Sequence, residues 1–308
     1  MKADAALARL LPAEAGRRTF PDGADFRIEI PSVEGPRVLE TVIAAAAEEG
    51  IVVNRVSQGS GAMLMREAEL REMAVLGAEH GIEVSLFVGP RESYGISAHS
   101  RTEDGAGHGG QSRGLHGLRY AVEDIARAVE CGIRSFLIPD LGLLALVSEM
   151  QDAGELPASV VWKVSVMLAP SNPLALRELE RVGASTVNVP SDVSVETLRE
   201  LRVATELPID LYVESPDALG GVVRGDELGD LVRAGAPLYA KFGLRNSRMI
   251  YPSGLHLVEE ACAIAREKVH RAAAALEWVD RLSPGLTQSA PGAEGLGIPQ
   301  PETAELLG

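Results

Sequence analysis

The sequence predicts an α/β protein, a single-domain (β/α)8 barrel, on three observations. Eight short apolar runs alternate with amphipathic stretches from residue 26 onward, matching the count and the length of roughly 250 residues of such a barrel. Four of the amphipathic stretches end in Gly, a usual helix stop. The apolar runs also carry polar side chains at alternate positions, which a closed sheet collects on its inner side. A doubly wound open sheet is the other arrangement that the alternation allows.

In chain order the expected strands are "FRIEIP", "IVVNRVS", "IEVSLFV", "IRSFLIP", "VVWKVSVML", "ASTVNVP", "PIDLYVE" and "PLYAKF". Between them the helical period appears in "RVLETVIAAAAEEG", "EAELREMAVLGAEHG", "LRYAVEDIARAVECG" and "NPLALRELERVG", and a long last helix is expected over about 255–281. Residues 1–23 read as a flexible N-terminal segment, 24–282 as the barrel domain and 283–308, rich in Pro and Gly, as a disordered tail. One connection is abnormally long. Residues 89–114 follow the third strand where 2–6 residues are usual, and they hold His99, Arg101, His108 and Arg113. Their place after a strand predicts a lid over the catalytic face.

Composition sets outer limits. The formal net charge is −15, with no run of Lys or Arg, which argues against nucleic acid or an anionic membrane as partner. No segment reaches the roughly 18 apolar residues of a membrane span, so a cytoplasmic protein is expected, with a homo-oligomer allowed. Two cysteines, Cys131 and Cys262, are too few for a thiolate-held iron–sulfur cluster, which uses about four ligands. Of 29 basic residues only Lys2, Lys163, Lys241 and Lys268 are lysines. Lys163 and Lys241 sit inside apolar strand-like runs, and a buried lysine can lose its proton where arginine cannot.

The alternation nominates the site. In "PIDLYVE", Asp210, Tyr212 and Glu214 share one face, with Glu214 nearest the C-terminal mouth where barrel enzymes act. The same parity selects Lys163 and Ser165, Thr186 and Asn188, Lys241, Arg27 and Glu29, and on the second strand Asn54 and Gln58. Buried charges of both signs must pair. The expected catalytic set is Glu214 as general acid/base and Lys241 as its partner across the mouth, with Tyr212 and Lys163. Expected substrate contacts are Ser57, Gln58, Asn188 and Arg91, with Arg245 and Asn246 after the eighth strand as an anion clamp. No strand carries His, and no Gly-x-Ser-x-Gly elbow occurs. No cofactor is expected, although Glu29, Asp140, Asp192 and Glu214 allow a carboxylate-bound Mg²⁺.

From about residue 118 to 214 the chain resembles the collagenase-like peptidase family U-32. The resemblance is carried by Asp140 and Gly142 in "AVECGIRSFLIPDLGLLALVSE", and by Asn172, Leu179, Gly183 and Ser194 in the next helix–strand–helix step. It implies a barrel fold and peptidase-like activity. The family's cysteine-bearing signature after strand seven is replaced by "VESPDALGG". The expectation is an enzyme acting by acid/base chemistry on a small carbonyl- or carboxylate-bearing, or peptidic, substrate. The alternatives are a Schiff-base lyase or aldolase using Lys241, and a non-catalytic scaffold whose charged lumen is structural.

Overall fold

In the computed structural model, which describes residues 2–11, 16 and 18–301, eight parallel strands close into a barrel in sequential order. A first helix, α1 (Lys2–Leu10), precedes β1 (Phe26–Pro31), α2 (Pro36–Glu49), β2 (Arg55–Gln58), α3 (Glu67–His80), β3 (Glu83–Phe87) and α4 (Gly114–Glu130). Then come β4 (Ser135–Ile138), α5 (Leu141–Asp152), β5 (Val161–Val164), α6 (Pro173–Arg181), β6 (Thr186–Asn188) and α7 (Val195–Val203). The last units are β7 (Ile209–Glu214), α8 (Leu228–Gly235), β8 (Leu238–Phe242) and α9 (Val258–Leu282). The chain is therefore a (β/α)8 barrel, and the open sheet is set aside.

The local signals act as expected. Gly50 and Gly81 close α2 and α3 in the left-handed conformation, with φ of 68° and 62°, where a Cβ is costly. Asp140, Asn172 and Ser194 cap α5, α6 and α7 by accepting the N–H of Leu143, Ala175 and Thr197. These are three of the positions that carry the U-32 resemblance. Their role here is to start helices, which any strand-to-helix step requires.

Hydrophobic burial lies between strands and helices. Ile28, Val56, Leu86, Phe136, Val164, Val187, Leu211 and Ala240 face outward from the strands and are almost wholly buried against Leu39, Leu70, Ile125, Leu144, Leu176, Leu198, Leu231 and Val269. The lumen is polar instead, unlike the branched aliphatic filling usual in such barrels.

The ends differ from expectation. Residues 283–301 are not a free tail but a strap across the N-terminal end of the barrel. Thr287 donates to Asp25 Oδ2 at 2.9 Å, Ser289 and Ala290 carbonyls accept from Asn54, Gly297 N donates to Glu83 Oε2 at 3.1 Å, and Gln300 N donates to Gly132 O at 2.7 Å. Arg27 ties the strap down through Ser289 Oγ at 2.9 Å and Glu294 O at 2.6 Å. Small residues permit the close approach: a Cβ on Gly297 would lie 2.8 Å from Arg134 O. Residues 302–308 lie outside the described residues. The N-terminal expectation is corrected over Lys2–Leu10, which is helical; residues 12–15 and 17 are outside the description.

Candidate functional site

The strand register builds the lumen. Lys241, Glu29, Arg55 and Glu83 are successive partners across β8, β1, β2 and β3, a row of alternating charge. Arg55 contacts Glu29 at 3.2 Å, Glu83 at 2.8 Å and Asp210 at 2.9 Å. Lys163 Nζ reaches both Glu29 oxygens at 2.5 Å and lies 3.9 Å from Asp210. Lys241 Nζ donates to Asn188 Oδ1 at 2.5 Å and sits 3.5 Å from Glu29. Three acids and three bases thus neutralise one another, and all six side chains are buried. Burial would raise Glu29, but Lys163, Lys241 and Arg55 outweigh it and hold the carboxyl well below the usual range. Burial, with Lys241 and Arg55, draws Lys163 down to about 7 against the pull of Glu29 and Asp210.

Above this network, at the C-terminal ends of the strands, opens a cavity of ≈ 510 Å³. Tyr212 is part of its floor, and Lys241 Nζ lies 4.3 Å from the Tyr212 ring centroid. Lys241, Lys163 and Asn188 are not themselves in the cavity wall. The wall is mainly apolar, with Met167, Leu219 and Ile250, and three cations reach it: Arg91, Lys268 and Arg248, the last exposed and paired with Glu260 at 3.0 Å. Arg91 stacks on Phe87 and Tyr94 at 4.2 and 4.1 Å and donates to Gly59 O at 2.8 Å and to the Tyr94 hydroxyl. Its Nε is buried without a hydrogen-bond partner among the described residues. Lys268, on α9, donates from Nζ to Pro31 O at 2.7 Å. Burial pulls it down to about 8, with Glu34 pulling the other way.

The turn after β2 is the hub of the rim. Glu34 accepts from Gly59 N at 2.8 Å and Ser60 N at 3.1 Å. Ser253 N donates to Ser60 Oγ at 2.7 Å, and Ser32 Oγ shares a 2.5 Å hydrogen bond with Tyr251 OH. Tyr251 is 39% exposed as a whole, and the desolvation of its hydroxyl end, then Glu34 and Tyr212, raises it above its ordinary value. Residues 89–114 fold over this mouth in three short 3₁₀ turns, and Arg91, Ser93 and Tyr94 from that segment form part of the wall.

Several expected site residues are placed differently. Glu214 does not pair with Lys241: a register shift between Tyr212 and Glu214 turns it aside, where it accepts from Arg245 N at 2.9 Å and faces Arg271 at 3.9 Å. Arg245 and Asn246 are outside the cavity wall, and Arg245 is exposed beside Asp217 at 3.8 Å. On β2 the parity is reversed. Arg55 and Ser57 point into the lumen, Ser57 donating to Glu29 at 2.7 Å. Asn54 instead accepts from Ile28 N at the barrel's base, and Gln58 clasps Gly61 within the turn. Among the described residues no three His, Cys, Asp or Glu side chains gather where they could hold a metal ion, so the suggested Mg²⁺ carboxylates are not brought together. Arg55, Glu83, Ser32, Tyr251 and Lys268 are site residues that sequence reasoning missed.

No family model and no curated protein matches the chain. Solved structures similar to it include the U32 peptidase Mk0906, at 15% identity over 65% of this chain and 73% of that one, TM-score 0.42. A native KDPGal structure is 9% identical over 85% of this chain and 99% of that one, TM-score 0.46. Thiamine phosphate pyrophosphorylase from Pyrococcus furiosus is 12% identical over 81% and 98%, TM-score 0.43. Likenesses this distant carry no chemistry, and three of the six positions that carry the U-32 resemblance are helix caps. Among the described residues no helix is long and apolar enough to cross a membrane.

Proposed function

We propose that the protein is an enzyme acting on a small carbonyl compound that bears a carboxylate and an apolar body, by acid/base chemistry at the C-terminal mouth. One observation supports this most: of the three cations in the wall of a mainly apolar cavity, Arg248 is paired with Glu260, while Arg91 and Lys268 have no ion-pair partner among the described residues, at the barrel face where such enzymes work. Arg91, in the cavity wall, offers its guanidinium charge to the carboxylate. Met167, Leu219 and Ile250 receive the apolar body. Tyr212 presents a hydroxyl that stays protonated, because burial, then Glu29 and Asp210, raise it. Glu214, turned away from the cavity, is not given the proton-transfer role; that falls to Lys268 and Tyr251.

The test uses 4-methyl-2-oxopentanoate and the ketone 4-methylpentan-2-one, which lacks the carboxylate. The keto acid binds at least tenfold more tightly by calorimetry, and Arg91→Gln abolishes the difference. In D₂O the keto acid exchanges its C3 hydrogens faster with protein than without. Equal affinities for both compounds, unchanged in the variant, sink the reading.

A non-catalytic binding role is the second reading. It is favoured by the self-paired lumen, in which Lys163 and Lys241 are closed off from any ligand. Binding without hydrogen exchange supports it.

A further inference from the structure

The wall of the cavity contains one amine. Lys268 Nζ is anchored by a 2.7 Å hydrogen bond to Pro31 O at the tip of β1, and Ile264, one turn earlier on α9, lines the same cavity. The next residue of the β1 tip, Ser32, holds Tyr251 OH at 2.5 Å. Ser32 has φ 63°, a left-handed conformation uncommon for a residue with a Cβ and associated with functional constraint. Amine and phenol are therefore fixed by adjacent residues of one short turn, both at the edge of an apolar chamber. A neutral amine still has an N–H for Pro31 O and keeps its lone pair for a ligand.

The geometry points to Lys268 as the nucleophile that forms an imine with the ligand's carbonyl carbon, a step that rests on reading the cavity as a carbonyl-compound site. The amine lone pair bonds to the carbonyl carbon, and the C=O π pair moves to oxygen, which takes a proton. The nitrogen then gives up a proton, the hydroxyl takes a second one, and water leaves as the C=N bond forms. No oxidant or reductant enters. Tyr251 is placed to supply the proton to oxygen and recover it from nitrogen. The imine withdraws electrons from the adjacent carbon and so eases loss of a proton or a carbon substituent there.

Elementary chemistry supports the choice of this lysine. Burial lowers Lys268 to about 8, so at pH 7 its neutral fraction is roughly 300-fold that of an ordinary lysine. The charged group acting on it is Glu34 from the turn after β1, itself raised by burial, which works against that neutral form. Lys163 and Lys241, as buried as Lys268, differ from it in not reaching the cavity wall.

The test has two arms on the full chain. In the first, sub-stoichiometric formaldehyde with cyanoborohydride at pH 7 is followed by peptide mapping. Lys268 is methylated at least tenfold faster than Lys2, and faster still than Lys163 and Lys241. In the second, 4-methyl-2-oxopentanoate with borohydride adds one reduced adduct at Lys268, absent in Lys268→Arg, whose folding is checked by circular dichroism. If formaldehyde spares Lys268, the inference is overturned. If the keto acid binds but its reduced adduct is absent or lies elsewhere, the inference is overturned and the reading of the cavity stands. If formaldehyde marks Lys268 while the keto acid neither binds nor labels, the imine-forming amine survives and the carboxylate ligand is wrong.

Discussion

Lys268→Met changes the sign of its own effect between pH 7 and pH 10.5. Burial lowers the folded-state value from 10.5 to about 8. Between those two values the unfolded chain holds the proton and the folded chain does not, so stability rises with pH through the window. Below about 8 the folded protein carries a buried ammonium, at a cost of roughly 3 kcal/mol relative to the unfolded chain. Met keeps the apolar stem but leaves Pro31 O without the 2.7 Å donor, which costs about 1–3 kcal/mol. The variant is therefore as stable as wild type at pH 7, or about 2 kcal/mol more so, and about 1–3 kcal/mol less stable at pH 10.5. The assay is urea unfolding of both proteins at both pH values, followed by tryptophan fluorescence. Other groups titrate in this range but are common to both proteins, so the difference isolates Lys268. An unchanged difference at the two pH values would falsify the buried-amine argument.

Glu29→Gln leaves Lys163, Arg55 and Lys241 short of their common acid and costs about 3–5 kcal/mol in urea unfolding; a loss below about 1 kcal/mol contradicts the pairing. Lys241→Met and Glu214→Gln have separate partners, so their unfolding free energies add within about 0.5 kcal/mol, and a larger coupling restores the pair across the mouth. A chain ending at Leu286 loses the strap that holds Arg27, Asn54 and Glu83; its Tm falls by roughly 10 °C, and an unchanged melt shows the strap to be dispensable. Because Arg91 and Tyr94 line the cavity, 4-methyl-2-oxopentanoate slows proteolytic cutting within 91–114, and equal cutting with and without it removes the case for a closing segment.

The barrel was legible because its signals are repeated: eight apolar runs, helices begun by Asp140, Asn172 and Ser194, and helices ended by glycine. Lumen parity was readable on β5 to β8, where polar residues occupy one parity only. It failed on β2 because "NRVSQ" has polar side chains at both parities, and only the tertiary partners decide that Arg55 and Ser57 turn inward. The paired expectation of Glu214 with Lys241 failed for a backbone reason, a register shift that a strict period of two does not contain. The strap was hidden by composition. Gly and Pro lower the apparent drive to fold, yet Gly297 lets the strap lie against Arg134, and Gly81, where a Cβ would lie 2.5 Å from Gly292 N, lets it lie against the end of α3. Lys268 did leave a signal. It follows Ile264 by four and Ala265 by three, on the apolar stripe of α9, where a solvated lysine does not belong.

The placement of charge explains why the chemistry is assigned to the rim rather than to the lumen. Lys241, Glu29, Arg55 and Glu83 alternate in sign around half of the barrel, and Lys163 with Asp210 complete a set of three acids and three bases. A cluster whose acids and bases balance in number exerts a weak field outside itself, and removing any member leaves a buried charge unmatched. Such a cluster ties six of the eight strands together but offers little to a ligand above it. Among the described residues Arg91 and Lys268 have no carboxylate within ion-pair distance, so their fields act in the cavity where apolar walls preserve them. The chain's sparing use of lysine follows the same division. Arginine serves where charge must be permanent, as in Arg55 at the centre of the network, whereas Lys268 stands where losing a proton makes a nucleophile.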